Sequence, residues 1–322
     1  MSSKLKILVI RFSSIGDIVL TTPVLRCLKL QLNCDIDYLT KESYKELLYS
    51  NTNINNIFLL SDNSKEIINS LRSQHYDIVV DLQNNFRSLK IRIALGIKSY
   101  VLEKENIKRY LLIYFGIDLL NNHIVDRYFK TLEKLGIKND NLGSDFMLSK
   151  VTNTDFNIKQ DYITWCIGGT YEQKKLSCKQ IYEVINKLKM PVVLLGGIEE
   201  KVLGSLVIDN SIADNVYNLC GETTFQGSAY LIKNSKLVLT NDTGMMHIAA
   251  AFDNPIISFW GCTKPSLGFS DYMSNNRSEN IIVHLSKNPC SKHGSYCKFQ
   301  SNGCIKEIKS QTIYKSVEKL LK

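Results

Sequence analysis

The first continuous apolar run is Lys6–Phe12, and its β-branched content without helical spacing predicts a buried strand. After Ser13–Asp17, positions 18 to 32 take helical spacing, with Val19, Val24, Leu25, Leu28 and Leu32 on one face. Pro23 falls in the early turns of that stretch and marks a kink or a delayed start. Strand patterns follow at Asp35–Leu39, Ile57–Leu60 and Tyr76–Leu82, with helical segments at Tyr44–Tyr49 and Lys65–Gln74. From Ser88 to Leu135 the pattern turns helical and carries many basic and aromatic residues. The polar stretch Gly143–Gln160 reads as a linker. Beyond it, strands read at Tyr162–Ile167, Val192–Leu195, Val216–Leu219, Lys236–Thr240 and Ile256–Trp260. Helices read at Cys178–Leu188, Glu199–Ile208, Phe225–Asn234 and Gly244–Phe252, and an amphipathic helix closes the chain at Ser310–Lys322. Strand and helix alternate in both halves, so the expected fold is α/β: two doubly wound αβα domains with parallel sheets and a cleft between them. The expected domains are residues 1–155 and 156–309, with the helix 310–322 packing back across both.

Composition adds limits. The chain has 322 residues, 44% hydrophobic and 22% charged, enough for a core in each half. No apolar run reaches the ~18–20 residues of a membrane span. The first residues enter a strand that is too short and too β-branched for a signal peptide, so a cytoplasmic protein is expected. The net charge of +9 favours phosphates, acidic glycolipids or a membrane surface as partners. Asn, Ile and Lys richness spreads lysine over every solvated face, however, which weakens that inference. The basic residues form no aromatic-interleaved strip, which disfavours nucleic acid.

Three turns fall at the carboxyl ends of predicted strands, where ligands reach an open α/β sheet. They are Ser13–Asp17, Gly168–Thr170 with Lys174 and Lys175 after it, and Asn241–Gly244. None is a GxGxxG or GxxxxGK[ST] motif, so neither a nicotinamide dinucleotide nor an ATPase phosphate loop is supported. Asp17 could take a proton from an attacking sugar hydroxyl, or simply cap a helix. Lys174 and Lys175 could neutralise a diphosphate leaving group, or be solvated. Asp242 could be a further cap, with Thr243 and Gly244 offering backbone N–H groups to phosphate. His247 lies one turn into that helix, where a lone histidine is more often structural. Glu199 and Glu200 follow Gly196 and Gly197 and could hold ribose hydroxyls, with capping again the competing role.

Three segments together carry a resemblance. Lys6–Arg26 closely resembles the opening of glycosyltransferase family 9, the heptosyltransferases of lipopolysaccharide assembly. Asn241–Ala251, followed by Pro255 and Phe259–Thr263, is similar to that family's donor signature. Gly169, Thr170 and Lys174–Leu176, then Leu194–Gly197 with Glu199 and Glu200, fit its intervening motifs. The resemblance implies a GT-B fold, two Rossmann-like domains facing across a cleft, and an inverting glycosyltransferase moving heptose from ADP-heptose to the lipopolysaccharide inner core or lipid A. It implies Asp17 as general base, and donor binding by Gly169, Thr170, Lys174, Glu200, Asp242, Thr243, Gly244 and His247. Acceptor contacts are implied for Ser13, Gly16, Gln83, Arg87 and Arg127, the two arginines suiting phosphates or a sugar-acid carboxylate. No cofactor is required. Cys262 and Lys264-Pro265 stand where Pro and Asp-Pro are common in the family, which leaves the nucleotide sugar open. A nucleotide-sugar epimerase or hydrolase on the same fold is the alternative.

The stretch Glu103–Phe115 could rest on the inner face of a membrane, although packing as a helix in the first domain is the favoured reading. Of nine cysteines, Cys27, Cys34, Cys166, Cys178, Cys220 and Cys262 are scattered and read as small buried hydrophobes. Cys290, His293, Cys297 and Cys304 could hold a structural zinc, but no C-x2–4-C pair is present and free thiols are the favoured reading.

Overall fold

The computed structural model describes residues 4–61, 63–149, 156, 158–272, 277–283 and 289–322. The predicted linker lies partly outside these residues. The chain forms two compact units, Met1–Lys104 with Asn122–Met147, and Glu105–Asn121 with Leu148–Lys322.

The first unit contains β1 (Leu5–Ile10), β2 (Cys34–Thr40), β3 (Asn56–Leu59), β4 (Ile78–Asp81) and β5 (Lys98–Val101). They make one parallel sheet in the order β3-β2-β1-β4-β5. Its helices are α1 (Ile15–Val19), α2 (Thr22–Gln31), α3 (Ser64–Arg72) and α4 (Phe86–Leu95). The chain then passes through α5 (Asn106–Phe115), part of the second unit, and returns in α6 (Ile124–Leu132). Leu8, Ile10, Leu39, Val79 and Leu71 form the centre of this unit's core.

Pro23 marks a delayed start rather than a kink. It occupies the second position of α2, where no intrahelical donor is lost, and α1 precedes it as a separate short helix. Two expectations change. The Tyr44–Tyr49 segment is a 3-10 helix over Glu42–Leu47, and the reading of Ser88–Leu135 as helical missed β5. β5 is a four-residue edge strand, with Lys98 exposed and only Tyr100 buried, too short and too polar to show a period.

The second unit holds β6 (Ile163–Cys166), β7 (Val192–Leu195), β8 (Val216–Asn218), β9 (Leu237–Asn241), β10 (Ile256–Trp260) and β11 (Ser278–Ile282). They form a parallel sheet in the order β11-β10-β9-β6-β7-β8. The edge strand β11 was not read from the sequence. Strands β6, β7, β9 and β10 are buried along their whole length, as parallel strands covered on both faces must be. The covering helices are α7 (Cys178–Ile185), α8 (Lys201–Asn210), α9 (Phe225–Lys233) and α10 (Gly244–Ala251), with α11 (Ser310–Leu321) at the end. The helix α11 lays Ile313 and Val317 into the core around Trp165 and Phe259. The α5 segment, favoured above as part of the first domain, packs in the second unit. Its Leu112 meets Leu120 and Leu267, and Arg109 stacks on Phe269. Leu267 and Phe269 are far from α5 in sequence, so no local period could show that they are its partners.

Each sheet has one switch point, where the chain leaves in opposite directions from two adjacent strands. It lies between β1 and β4 in the first unit and between β6 and β9 in the second. Ligands of open α/β sheets bind beyond the carboxyl ends of such strands.

Candidate active site

In the first unit, β1 ends at Ile10, in register with Asp81 of β4. Beyond it Arg11 turns back. Its Nε donates to the Ser13 carbonyl at 2.7 Å and its Nη1 to the Leu82 carbonyl at 2.6 Å. Its Nη2 lies 2.7 Å from Oδ2 of Asp17. Asp17 is the third residue of α1 and also caps it. The Ser14 N–H and hydroxyl donate to the same Oδ2, at 3.2 and 2.9 Å. Oδ1 accepts no hydrogen bond among the described residues. Burial alone would raise this carboxyl, but the Arg11 charge and the Ser14 donors outweigh it and hold Asp17 below the usual carboxylate range. At neutral pH Asp17 is therefore an anion fixed through one oxygen.

Gln83 joins this group, its Oε1 accepting from the Phe12 N–H at 2.8 Å. Ser13, Gly16, Asp17 and Gln83 thus share the switch point of the first sheet. Asp81 shapes the same edge by accepting from the Gln83 and Asn84 N–H groups at 3.0 and 2.7 Å. Arg87 is exposed in the first turn of α4, whereas Arg127 is almost wholly buried in α6. Of the two, Arg87 is the one open to an anionic ligand.

In the second unit, Asn241 fastens the switch point. Its amide donates to the carbonyls of Ile167 and Gly168, at 3.1 and 2.9 Å, tying the end of β9 to the loop after β6. Gly169 is then packed beside Lys174 and Thr243, the N-cap of α10. Lys174 Nζ lies 2.7 Å from Asp242 Oδ2, which also accepts from the Thr263 hydroxyl at 2.7 Å. Thr243 and Gly244 begin α10, whose first N–H groups have no helical acceptor. His247 is buried one turn further on, and Thr170 is exposed. Glu200 lies beside these residues as a bridge. One oxygen pairs with Lys175 at 2.8 Å and the other accepts from the Gly197 N–H at 2.9 Å. A lysine, a helix N-terminus and two glycines on adjacent strand ends are groups with the chemistry to receive phosphate oxygens.

Residues 65–299 match the family model described as glycosyltransferase family 9 (heptosyltransferase). The chain belongs to that family. It is 24% identical to lipopolysaccharide heptosyltransferase 1 of Campylobacter coli, over 98% of this chain and 99% of the relative. The structure of a family 9 glycosyltransferase from Veillonella parvula DSM 2008 is similar at TM-score 0.79 and 20% identity, covering 98% of this chain and 97% of that one. That of the ADP-heptose heptosyltransferase II of E. coli is similar at TM-score 0.78 and 21% identity, covering 98% of both chains. The protein is a glycosyltransferase with the GT-B fold, as the resemblance implied.

Sequence reasoning gave no role to three residues of these sites. Arg11 closes an apolar strand as a lone buried cation, which is a visible signal. Asn241 and Thr263 lie inside quoted motifs, but their partners become visible only in three dimensions. The sulfur group also needs correction. The sulfurs of Cys262, Cys290, Cys297 and Cys304 lie within 4.8 Å of one another, while His293 is exposed and outside the set. From the sequence alone Cys262 counts among the scattered cysteines. It enters because the end of β10 meets the returning tail, and the Cys290 N–H donates to the Cys262 carbonyl at 2.8 Å.

Proposed function

We propose that this protein transfers a heptosyl group, with inversion, from ADP-heptose to the sugar core of a lipopolysaccharide acceptor. The observation that carries the donor side is the meeting of Lys174, Asp242 and the start of α10 at one strand edge. In this reading Lys174 and the Thr243 and Gly244 N–H groups hold the diphosphate and stabilise the charge that grows as the glycosidic bond breaks. Asp242 positions Lys174, and Thr263 steadies Asp242. Glu200, fixed by Lys175, accepts ribose hydroxyls. The similar proteins include an ADP-heptose heptosyltransferase II and a lipopolysaccharide heptosyltransferase 1, which supports this choice of donor and acceptor.

On the acceptor side, Asp17 takes the proton of the attacking hydroxyl through Oδ1 while Arg11 and Ser14 keep Oδ2 in place. A depressed pKa makes a weaker base, but one fully ionised at neutral pH and fixed in direction. Arg87 receives an anionic group of the acceptor. No helix among the described residues is long and apolar enough to cross a membrane. Membrane contact, in this reading, falls to α5, where Ile107, Tyr110, Tyr114 and Phe115 are all exposed.

The test is product analysis with ADP-heptose and a truncated lipopolysaccharide core. The expected product is an acceptor heavier by one heptose, with inverted anomeric configuration. Free heptose or an epimerised donor, formed equally well without acceptor, would favour the hydrolase or epimerase reading.

A further inference from the structure

Four of the nine cysteines converge from separate stretches. Cys262 lies just past β10, Cys290 and Cys297 lie in the tail, and Cys304 opens the short helical turn Cys304–Glu307. Cys262, Cys290 and Cys304 are buried and Cys297 is half-buried. The Sγ atoms of Cys262 and Cys304 are 3.6 Å apart, and those of Cys290 and Cys297 are 3.9 Å apart. A disulfide requires about 2.05 Å, so neither pair is bonded. Four thiolates around one tetrahedral ion at ~2.3 Å stand about 3.8 Å from each other, close to the 3.6 and 3.9 Å of these two pairs, and all four sulfurs lie within 4.8 Å of one another.

The surrounding backbone fits the same purpose. The Phe299 N–H donates to the Cys297 sulfur at 3.4 Å, the kind of outer contact that stabilises a charged thiolate. Gly294 and Gly303 take left-handed φ values of 75° and 93°, turning the chain between successive cysteines. Free buried thiols need neither the convergence nor these turns. The other five cysteines take no part in the group.

We propose that Cys262, Cys290, Cys297 and Cys304 bind one tetrahedral transition-metal ion, zinc or iron, as a tetrathiolate site. Binding displaces the thiol protons into solvent, and no electron moves. The site's neighbours are the donor loops. Thr263, next to Cys262, holds Asp242. Gly294, between Cys290 and Cys297, packs so closely on Lys174 that an added Cβ would lie 2.6 Å from its Cγ. Lys306, two residues past Cys304, donates to the Lys175 carbonyl at 2.7 Å. The ion therefore braces Lys174 and Asp242. This bracing role rests on the donor reading, whereas metal binding itself does not.

The test uses the intact protein from cells supplied with both metals. Elemental analysis should find about one ion per chain, and a thiol reagent should find four cysteines that become reactive only after chelation. Iron would show a visible thiolate charge-transfer band. Zinc would be silent until replaced by cobalt, whose d–d bands report tetrahedral sulfur. Cys297→Ser, at the most exposed ligand, should hold less than half the wild-type metal, and His293→Ala should hold all of it. Fewer than one ion per two chains in metal-replete wild-type protein would overturn the site, whether or not Cys297→Ser folds. So would full retention in Cys297→Ser or loss in His293→Ala. Chelation should also weaken ADP binding about tenfold or more, and unchanged ADP binding would overturn the bracing role alone.

Discussion

Arg11 holds Asp17 by one oxygen only. Its Nη2 meets Oδ2 at 2.7 Å, Ser14 donates to the same atom, and Oδ1 is left without a protein donor among the described residues. The sequence posed helix cap and general base as alternatives for Asp17. The geometry lets one carboxylate cap the helix through Oδ2 and leave Oδ1 for an acceptor hydroxyl.

Arg11→Gln should therefore move the acid limb of the rate profile. In the wild type, burial raises the Asp17 carboxyl but the Arg11 charge prevails and holds it low. Activity that needs the carboxylate falls only as pH drops through that depressed pKa. Without Arg11 the pKa rises, so the limb should shift to higher pH in kcat/KM. A limb at the same pH in a folded variant would show that Asp17 is not the titrating base.

Lys174→Met should lower kcat about 10²–10³-fold, the usual loss for a group that stabilises leaving-group charge. Asp242→Asn should cost less in kcat and raise the donor KM, because Lys174 keeps its charge and loses its anchor. Equal effects of the two substitutions on kcat and KM would contradict their separate roles.

Much of this was legible because the buried strands are continuous apolar runs. The expected spans of β7 and β10 agree with the structure residue for residue. What escaped were edge strands and long-range partners. β5 and β11 lie at sheet edges and mix polar with apolar residues, so their period is weak. Cys262 looked like a local departure from a family motif. Its meaning depends on sulfurs brought in from the tail, and spacing along the chain carries no such information.

Gly294→Ala tests the contact between the tail and the donor site. Its φ of 75° disfavours any other residue, and the new Cβ would press on Lys174. The expected result is a loss of about 1 kcal/mol in stability together with a raised donor KM. A stability loss with unchanged KM would mean that Lys174 accommodates the methyl group without leaving Asp242.

Arg26 gives a stability prediction with a defined pH window. It meets both oxygens of Asp140, at 2.7 and 2.8 Å, and also pairs with Asp145. Its hydrogen bonds are the main reason the Asp140 carboxyl is lowered to about 2. A depressed carboxylate contributes stability fully above its unfolded value near ~3.9, and that contribution drains away as pH falls toward the folded value. Arg26→Met should cost about 1–3 kcal/mol at neutral pH, measured by denaturant unfolding, and progressively less below pH ~4. A difference independent of pH would argue for lost packing instead.

The exposed face of α5 can be read with vesicles. Tyr114→Ser with Phe115→Ser should reduce co-sedimentation with anionic lipid vesicles and leave transfer to a soluble truncated acceptor unchanged. Undiminished sedimentation would remove α5 from any membrane contact.

The central claim is that Asp17 starts the transfer while other residues bind the donor. Steady-state turnover of Asp17→Asn, measured with donor affinity on the same preparation, addresses it most directly. Asn preserves size and can still cap α1, but it cannot take the acceptor proton. The account predicts a kcat lower by about 10²–10⁴-fold, with ADP-heptose affinity within about twofold of wild type. An Asp17→Asn enzyme that turns over at the wild-type rate would contradict it.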